Sequence, residues 1–336
     1  MMSLSKNAKS LLSFLLRVGI SGALLWYVFS RIDMEDTAEV LKSADLTYIF
    51  LAAGIFVFIN GILLYRWFVF IKALDLLVPV KKVVEHYFYG LFGNLFLPTA
   101  IGGDLIKVIG LCKDSSEKPK IVASVLIDRL SGFASIAIVA VVAFIFGHKL
   151  VNDDTLIIPI VLMAGAILLI AGILFNEKIY SFGCRMFAWF PRLQKGLMTM
   201  HYDIALLKGA NKYKEVIKGI ALSCSSQVIF AFTFYFTAKA LHQNIPVIYF
   251  LIFVPIICVA AAFPSIGGLG FREVGAAYLF GKVGVESGVA VSMSLINFLF
   301  MVMVGLVGGF VYVYTLSFGR IQHYSSDAAG IEPRET

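Results

Sequence analysis

Three pairs of oppositely charged residues occur inside long apolar segments of this 336-residue chain. A charge at membrane depth costs about 2.5–3.5 kcal/mol on insertion scales, so such residues face a protein interior or an aqueous cavity and pair with one another. Each pair contains one base, and Lys and Arg side chains bind phosphate and carboxylate groups through charge-assisted hydrogen bonds. The sequence therefore predicts a polar, anion-binding site within an otherwise apolar protein. The pairs are Asp104 with Lys107, Asp128 with Arg129, and Arg272 with Glu273.

Two of these pairs follow an interruption of an apolar segment by Pro and Gly. We call these interruptions the two breaks, and they share a residue pattern. Residues 97–104 read LPTAIGGD and residues 263–270 read FPSIGGLG, so both contain an apolar residue, Pro, a hydroxyl residue, Ile and paired Gly. Glycine lets backbone N–H groups approach a ligand closely. A helix that begins at such a pair points its positive end at the ligand, which suits an anion. The paired glycines are Gly102, Gly103, Gly267 and Gly268.

These features together predict an anion site built from both breaks. Its bases are Lys107, Arg129 and Arg272, and the two helix N-termini add backbone donors. We expect Arg272 to be the principal contact, because a planar guanidinium suits two parallel hydrogen bonds to a phosphate better than Lys does.

The three acids permit a purely structural interpretation of the same residues, in which they neutralise the bases and the glycines supply turns. We expect Asp104 to pair with Lys107, and Asp128 with Arg129, across the first break and the following helix. Glu273 directly follows Arg272, so the two side chains lie on different faces of a helix. We therefore expect Glu273 to be free to pair with another residue or to exchange protons.

Two further polar residues are candidates for the site. Arg66 lies near the inner end of a predicted helix, where a long side chain can extend to the membrane interface. Asn94 precedes the first break, and hydrogen bonding between helices is the usual role of Asn in an apolar segment.

The overall composition identifies the class of protein. Apolar residues make up 60% of the chain and charged residues 15%, whereas soluble domains average about 45–50% and 25%. The mean hydropathy of +0.89 agrees with this imbalance. The motifs of zinc proteases, P-loop nucleotide binding and serine hydrolases are absent from the sequence. We therefore expect an all-α, polytopic membrane protein that is not an enzyme, binds no nucleic acid and needs no metal or cofactor.

The distribution of basic residues predicts the path of the chain, because short basic loops stay in the cytoplasm. Both termini are expected to be cytoplasmic, in the cell (inner) membrane. Two segments begin and end on one side and are interrupted by Pro and Gly, so we interpret them as re-entrant hairpins, at about 83–111 and 247–282. The six predicted crossings are about 11–29, 46–71, 121–146, 156–175, 219–240 and 289–316.

This path makes the chain an inverted repeat. One transmembrane domain, 1–320, contains half one at about 8–150 and half two at about 151–320, followed by a cytoplasmic tail at 321–336 that we expect to be disordered. Each half reads helix, helix, hairpin, helix, and three crossings per half give the halves opposite orientations. In such proteins, broken helices at corresponding positions mark a binding site near the midplane.

At these residues the sequence resembles the flippase-like transmembrane family named for the lysylphosphatidylglycerol synthase transmembrane region. The matching residues are Arg66-Trp67, Asn94 through Pro98 to Gly103-Asp104 with Lys107, Asp128-Arg129, and Pro264 to Gly268 with Gly270, Arg272 and Glu273. Asp128 stands where the family often has Glu, and Lys107 where Arg is common. No globular segment follows Leu316, so we expect no aminoacyltransferase activity. The resemblance implies movement of anionic or polyprenyl-phosphate-type lipids between leaflets.

Two other functions fit the same residues. An ion-coupled transporter of a small anion would use the same bases. A non-catalytic membrane partner of a glycosyltransferase or lipid synthase would bind lipid without moving it. Membrane lipids are the expected partners in the favoured interpretation, and a homo-oligomer or a complex with a lipid-processing enzyme is consistent with it.

Overall fold

The computed structural model describes residues 42–96, 102–113, 115–151, 154–176, 179–182, 212–262 and 268–328, with short pieces at 26, 40, 194, 198–199 and 201–202. All regular secondary structure in this part of the chain is helical. The principal helices are α1 (Leu46–Ala73), α2 (Val80–Phe96), α3 (Gly102–Lys113), α4 (Lys118–Val151), α5 (Ile157–Phe175), α6 (Tyr213–Ala240), α7 (Val247–Ala261), α8 (Phe271–Gly281) and α9 (Ser287–Ala328).

The long helices have the length and apolarity that a bilayer requires. Within the described residues, α1, α4, α6 and α9 each contain a stretch long and apolar enough to cross a membrane, and α5 and α7 are shorter apolar helices. The all-helical, polytopic membrane fold predicted from composition is thus confirmed. Most of the first predicted crossing, at 11–29, lies outside the described residues, and so does most of the segment 176–218, whose eight Lys and Arg against three Asp and Glu predict a cytoplasmic location. The orientation of the chain stays a prediction.

Each predicted hairpin consists of two helices that pack on each other. Helices α2 and α3 form the first pair, and α7 and α8 form the second. Proline disrupts a helix, and the residue before a proline disfavours helical backbone angles. This agrees with the ends of α2 at Phe96 and α7 at Ala261, shortly before Pro98 and Pro264. The breaks themselves, 97–101 and 263–267, lie outside the described residues and include Pro98, Pro264 and Gly267. The depth of the hairpins in a membrane therefore stays a prediction.

The packing of the two halves is reciprocal. The first arm of each hairpin packs on the last helix of the other half: α2 contacts α9, and α7 contacts α4. Their second helices, α1 and α6, pack on each other along the interface between the halves. Exchanging the halves converts each of these contacts into its counterpart, as the predicted internal repeat requires.

The ends of helices follow local signals. Asp45 precedes α1 and its side chain accepts a hydrogen bond from the Thr47 N–H at 2.8 Å, the usual N-cap arrangement. Hydrogen bonds to Thr47 lower the pKa of the Asp45 carboxyl. At the other end of the chain, α9 continues to Ala328, past the predicted boundary at 320. Neither Pro nor Gly interrupts residues 320–328, so nothing local ends the helix at that boundary.

The first hairpin depends on a close approach at Gly103. A methyl group at Gly103 would overlap the backbone carbonyl of Gly90 and the side chain of Asn94. We expect Gly103→Ala to destabilise the protein by about 1–3 kcal/mol, the usual effect of overpacking. Gly61→Ala is the matched control, because nothing lies within 4 Å of a methyl group at Gly61 on α1. Thermal unfolding of the two variants in detergent is the measurement, and equal melting temperatures would contradict the close packing.

Candidate functional site

A cavity of about 460 Å³ lies between the two halves of the protein. Most of the principal helices contribute to its wall. Apolar side chains form most of the wall, among them Phe56, Leu63, Phe133, Phe230 and Met301. All four bases named in the sequence analysis also line it, together with Asp104 and Asp128. The structure therefore brings the predicted site residues of both halves to one cavity.

Asp104 is shared by two bases on one side of this cavity. It accepts a hydrogen bond from Arg129 Nε, and its other oxygen lies 3.4 Å from Lys107 Nζ. The Lys107 ammonium also lies 5.0 Å from the ring centroids of both Trp67 and Tyr87, within the range of cation–π attraction. The predicted pairing of Asp104 with Lys107 is confirmed. The aromatic rings hold Lys107 in place; the sequence analysis named Trp67 only within the family motif and did not name Tyr87.

Asp128 pairs with Arg66, not with Arg129 as the sequence analysis predicted. Arg66 Nε donates to Asp128 Oδ1 at 2.7 Å, and Arg66 Nη1 donates to Ser223 Oγ of α6 at 3.1 Å. The predicted pairing was wrong because successive residues on a helix point about 100° apart. Asp128 therefore faces α1 while its neighbour Arg129 faces α3.

Arg66 does not extend to the membrane interface. The residue is only 7% exposed. It lies about two turns before the end of α1, and its guanidinium is held between α1, α4 and α6. The position of Arg66 inside an apolar helix could have predicted this burial, because a charge there needs a partner on another helix.

The second hairpin carries its own ion pair. Arg272 Nη2 lies 2.7 Å from Glu273 Oε1, and Arg272 Nε donates to Ser294 Oγ at 2.8 Å. Glu273 is fully buried and also accepts from the Gly270 N–H at 2.7 Å. The expectation that Glu273 pairs elsewhere was wrong. Its side chain folds back to cap the start of α8, as Glu commonly does at this position, and this brings it next to Arg272.

The N-termini of α3 and α8 are capped by the protein itself. Gly103 N–H donates to Asn94 Oδ1 at 2.9 Å, and Gly270 N–H donates to Glu273. These two backbone donors are therefore occupied within the protein, and the binding of an anion at the two helix N-termini stays a prediction. Asn94 has the bonding role that is usual for Asn between helices, although it also lines the cavity. Gly102 is buried, and Gly268 lines the cavity with a φ of +80°, a conformation that favours glycine.

Residues 124–130 of α4 read SVLIDRL and residues 294–299 of α9 read SLINFL, so the uncharged Asn297 stands in half two where half one has Asp128. Asn297 of α9 accepts from Thr233 Oγ1 at 2.9 Å and donates to Thr237 Oγ1 at 3.2 Å, both on α6. Asp128 of α4 is bonded to α1 in the same way. Both residues thus join the last helix of their half to its second helix, while the ion pair between these helices occurs in half one.

Accessibility distinguishes the four bases. The side chains of Arg66, Lys107 and Arg272 are 8%, 9% and 10% exposed, whereas that of Arg129 is 34% exposed. Four bases face two acids among the described lining residues, so the cavity has an excess of positive charge. Buried Glu273 offsets part of that excess from behind Arg272. Arg129 is therefore the most accessible of the four bases. The prediction that Arg272 is the principal contact stays a prediction.

Comparison with known proteins gives one family. The family described as the lysylphosphatidylglycerol synthase TM region matches residues 14–309. A UPF0104 membrane protein of Pyrococcus horikoshii is 26% identical over 316 residues, which cover 86% of this chain and 92% of that protein. These matches agree with the apolar helices of the structure in indicating a multi-pass membrane protein. The family match extends over both halves and all four bases of the cavity, and the chain therefore belongs to the lysylphosphatidylglycerol synthase TM region family.

Proposed function

We propose that this protein binds an anionic lipid, of the phospholipid or polyprenyl phosphate class, and moves its headgroup between the membrane leaflets without chemical change. The observation that carries the proposal is the cavity between the halves, which combines an excess of bases with mostly apolar walls. An amphiphile with a charged headgroup and hydrocarbon chains matches both properties. The family is also named for a lipid synthase.

The size and lining of the cavity favour a lipid over a small anion. A volume of about 460 Å³ is at the small end of the range for ligand sites, about 300–1,000 Å³. It can contain a phosphate headgroup, while long hydrocarbon chains must stay outside. A small anion would gain nothing from the Phe and Leu side chains that form much of the wall.

Arg129 and Asp104 offer a way to bind the headgroup without leaving a buried charge unpaired. A phosphate that takes the place of Asp104 at Arg129 would form charge-assisted hydrogen bonds with the guanidinium. Asp104 would keep its second partner, Lys107, which is held by Trp67 and Tyr87. An exchange of partners avoids the large penalty that an isolated buried charge carries.

The reciprocal packing of the halves suits alternating access. In transporters built from inverted repeats, one half rocks against the other around a fixed site between them. Here the cavity lies at the junction where α1 packs on α6. No nucleotide-binding motif occurs in the sequence, so the proposed movement is passive or driven by an ion gradient.

The proposal is tested by lipid retention and by transfer in vesicles. The purified protein is expected to retain anionic lipid in native mass spectrometry, above its share of the membrane extract. Reconstituted into vesicles, it should expose fluorescent phosphatidylglycerol from the inner leaflet to an external quencher faster than protein-free vesicles do. Phosphate or chloride flux without lipid transfer would instead support the small-anion transporter. Retention of lipid without any transfer would support the non-transporting partner.

A further inference from the structure

We infer that the anionic lipid reaches the cavity sideways from the bilayer, through a portal on α4 centred on Arg129. The portal is defined by Val122, Arg129 and Phe133. This inference rests on the proposed function, because it assigns the route by which the proposed ligand enters. It places the hydrocarbon chains outside the cavity against Phe133 while the headgroup contacts Arg129.

The portal residues share one face of α4. Their spacing of seven and four residues keeps them within about 40° of one another around the helix. Val122 is 38% exposed, Phe133 is 36% exposed, and the Arg129 side chain is 34% exposed. Arg129 thus lies between two exposed apolar residues on one face of a helix that is apolar enough to span a bilayer.

The same face of α4 is closed further along the helix. Ala140 is fully buried, and a methyl group at Gly147 would meet the side chains of Ile248 and Ile252 on α7. The second hairpin thus covers the later part of this face, whereas Val122, Arg129 and Phe133 keep exposed surface in the part of the chain that the structure describes. The opening is a local feature of the fold and not a general property of α4.

In the inferred route, Arg129 and Phe133 connect the bilayer with the cavity. Both line the cavity and both are partly exposed. Arg129 is also bonded to Asp104 within the cavity. Leu105 and Ile109 of α3, the helix that carries Asp104, are exposed apolar side chains at 52% and 58%. A lipid with its headgroup at Arg129 would therefore keep its chains in contact with apolar side chains. A free aqueous anion would have to cross this apolar rim.

Crosslinking at one helix with a matched control tests the portal. A photoreactive p-benzoylphenylalanine replaces Phe133 in one variant and Ile138 in the other. Ile138 is 43% exposed on the same helix and points about 140° away from Phe133. Each full-length variant is reconstituted in vesicles of equal phosphatidylglycerol and phosphatidylcholine, irradiated, and its lipid adducts are measured by mass spectrometry.

At position 133 we expect phosphatidylglycerol adducts to exceed phosphatidylcholine adducts on the order of tenfold, because both lipids carry a phosphate but phosphatidylcholine adds a choline cation, which the excess of bases in the cavity repels. At position 138 the adducts should follow the vesicle composition. Adding Arg129→Gln should abolish the preference at 133 and leave the adducts at 138 unchanged, and the melting temperature in detergent should match that of the variant without Arg129→Gln.

Three outcomes would overturn the portal. They are equal lipid ratios at positions 133 and 138, a preference at 133 that survives Arg129→Gln, and a crosslink from 133 to residues 1–39 of the same chain. The vesicle transfer assay separates the two levels of the argument. Transfer of phosphatidylglycerol together with any of these outcomes would leave the proposed function standing and place the lateral route elsewhere.

Discussion

Asp128→Asn is expected to destabilise the protein by about 3–5 kcal/mol, the usual effect of removing one member of a buried ion pair. The change removes the carboxylate charge that the buried Arg66 guanidinium pairs with, because the amide oxygen of asparagine can still accept a hydrogen bond but carries no net charge. Asparagine is nearly the same size as aspartate, so the effect is electrostatic and not one of packing. Folded yield by size-exclusion chromatography in detergent and the melting temperature both measure it.

The double variant Arg66→Met with Asp128→Leu is expected to recover most of the lost stability, because replacing both charges leaves none unpaired. Glu85→Gln is the control, since Glu85 pairs at 4.0 Å with Lys81, whose side chain is 88% exposed. Exposed pairs contribute only about 0–1 kcal/mol. If Asp128→Asn were as stable as Glu85→Gln, the pairing between α1 and α4 would be refuted.

Arg129→Gln is expected to reduce retention of anionic lipid and its transfer by about tenfold or more, since a hydrogen bond to a charged group contributes about 1.5–3 kcal/mol. The fold should survive, because the side chain is 34% exposed and Asp104 keeps Lys107 as its partner. Arg129→Lys should retain part of the activity, as Lys keeps the charge but loses the planar pair of donors. The vesicle transfer assay and native mass spectrometry measure both variants.

Lys81→Gln is the matched control for Arg129→Gln, because it removes one positive charge from an exposed site outside the cavity. It should leave lipid transfer unchanged. Normal transfer by a well-folded Arg129→Gln variant would assign the headgroup to another base. Arg272 and Lys107 would then be the residues to change first, although both are buried and bonded to carboxylates.

These two predictions assign different roles to neighbouring residues. Asp128 is buried and joins α1 to α4, so its loss affects folding. Arg129 is partly exposed at the cavity and is bonded to a carboxylate that has a second partner, so its loss affects binding. One turn of α4 thus carries a structural contact on one side and the proposed ligand contact on another.

The sequence by itself determined the class of protein, the approximate positions of the described helices and the locations of the two breaks. Hydropathy and the presence of Pro and Gly are local properties, so they can be recognised without knowing which helices meet. The charged residues could also be assigned to an interior site, because the penalty for charge in an apolar segment does not depend on the fold.

Only the tertiary structure decided which charges pair and which face the cavity. Arg66 meets Asp128, and Arg129 meets Asp104, across 62 and 25 residues of chain. Such partners depend on the rotation and register of packed helices, which a single sequence does not specify. Glu273 pairs with its neighbour Arg272 because its side chain accepts a hydrogen bond from the Gly270 N–H and so caps the start of α8. Residues adjacent in sequence point in different directions on a helix, so proximity along the chain predicted the wrong partner for Asp128.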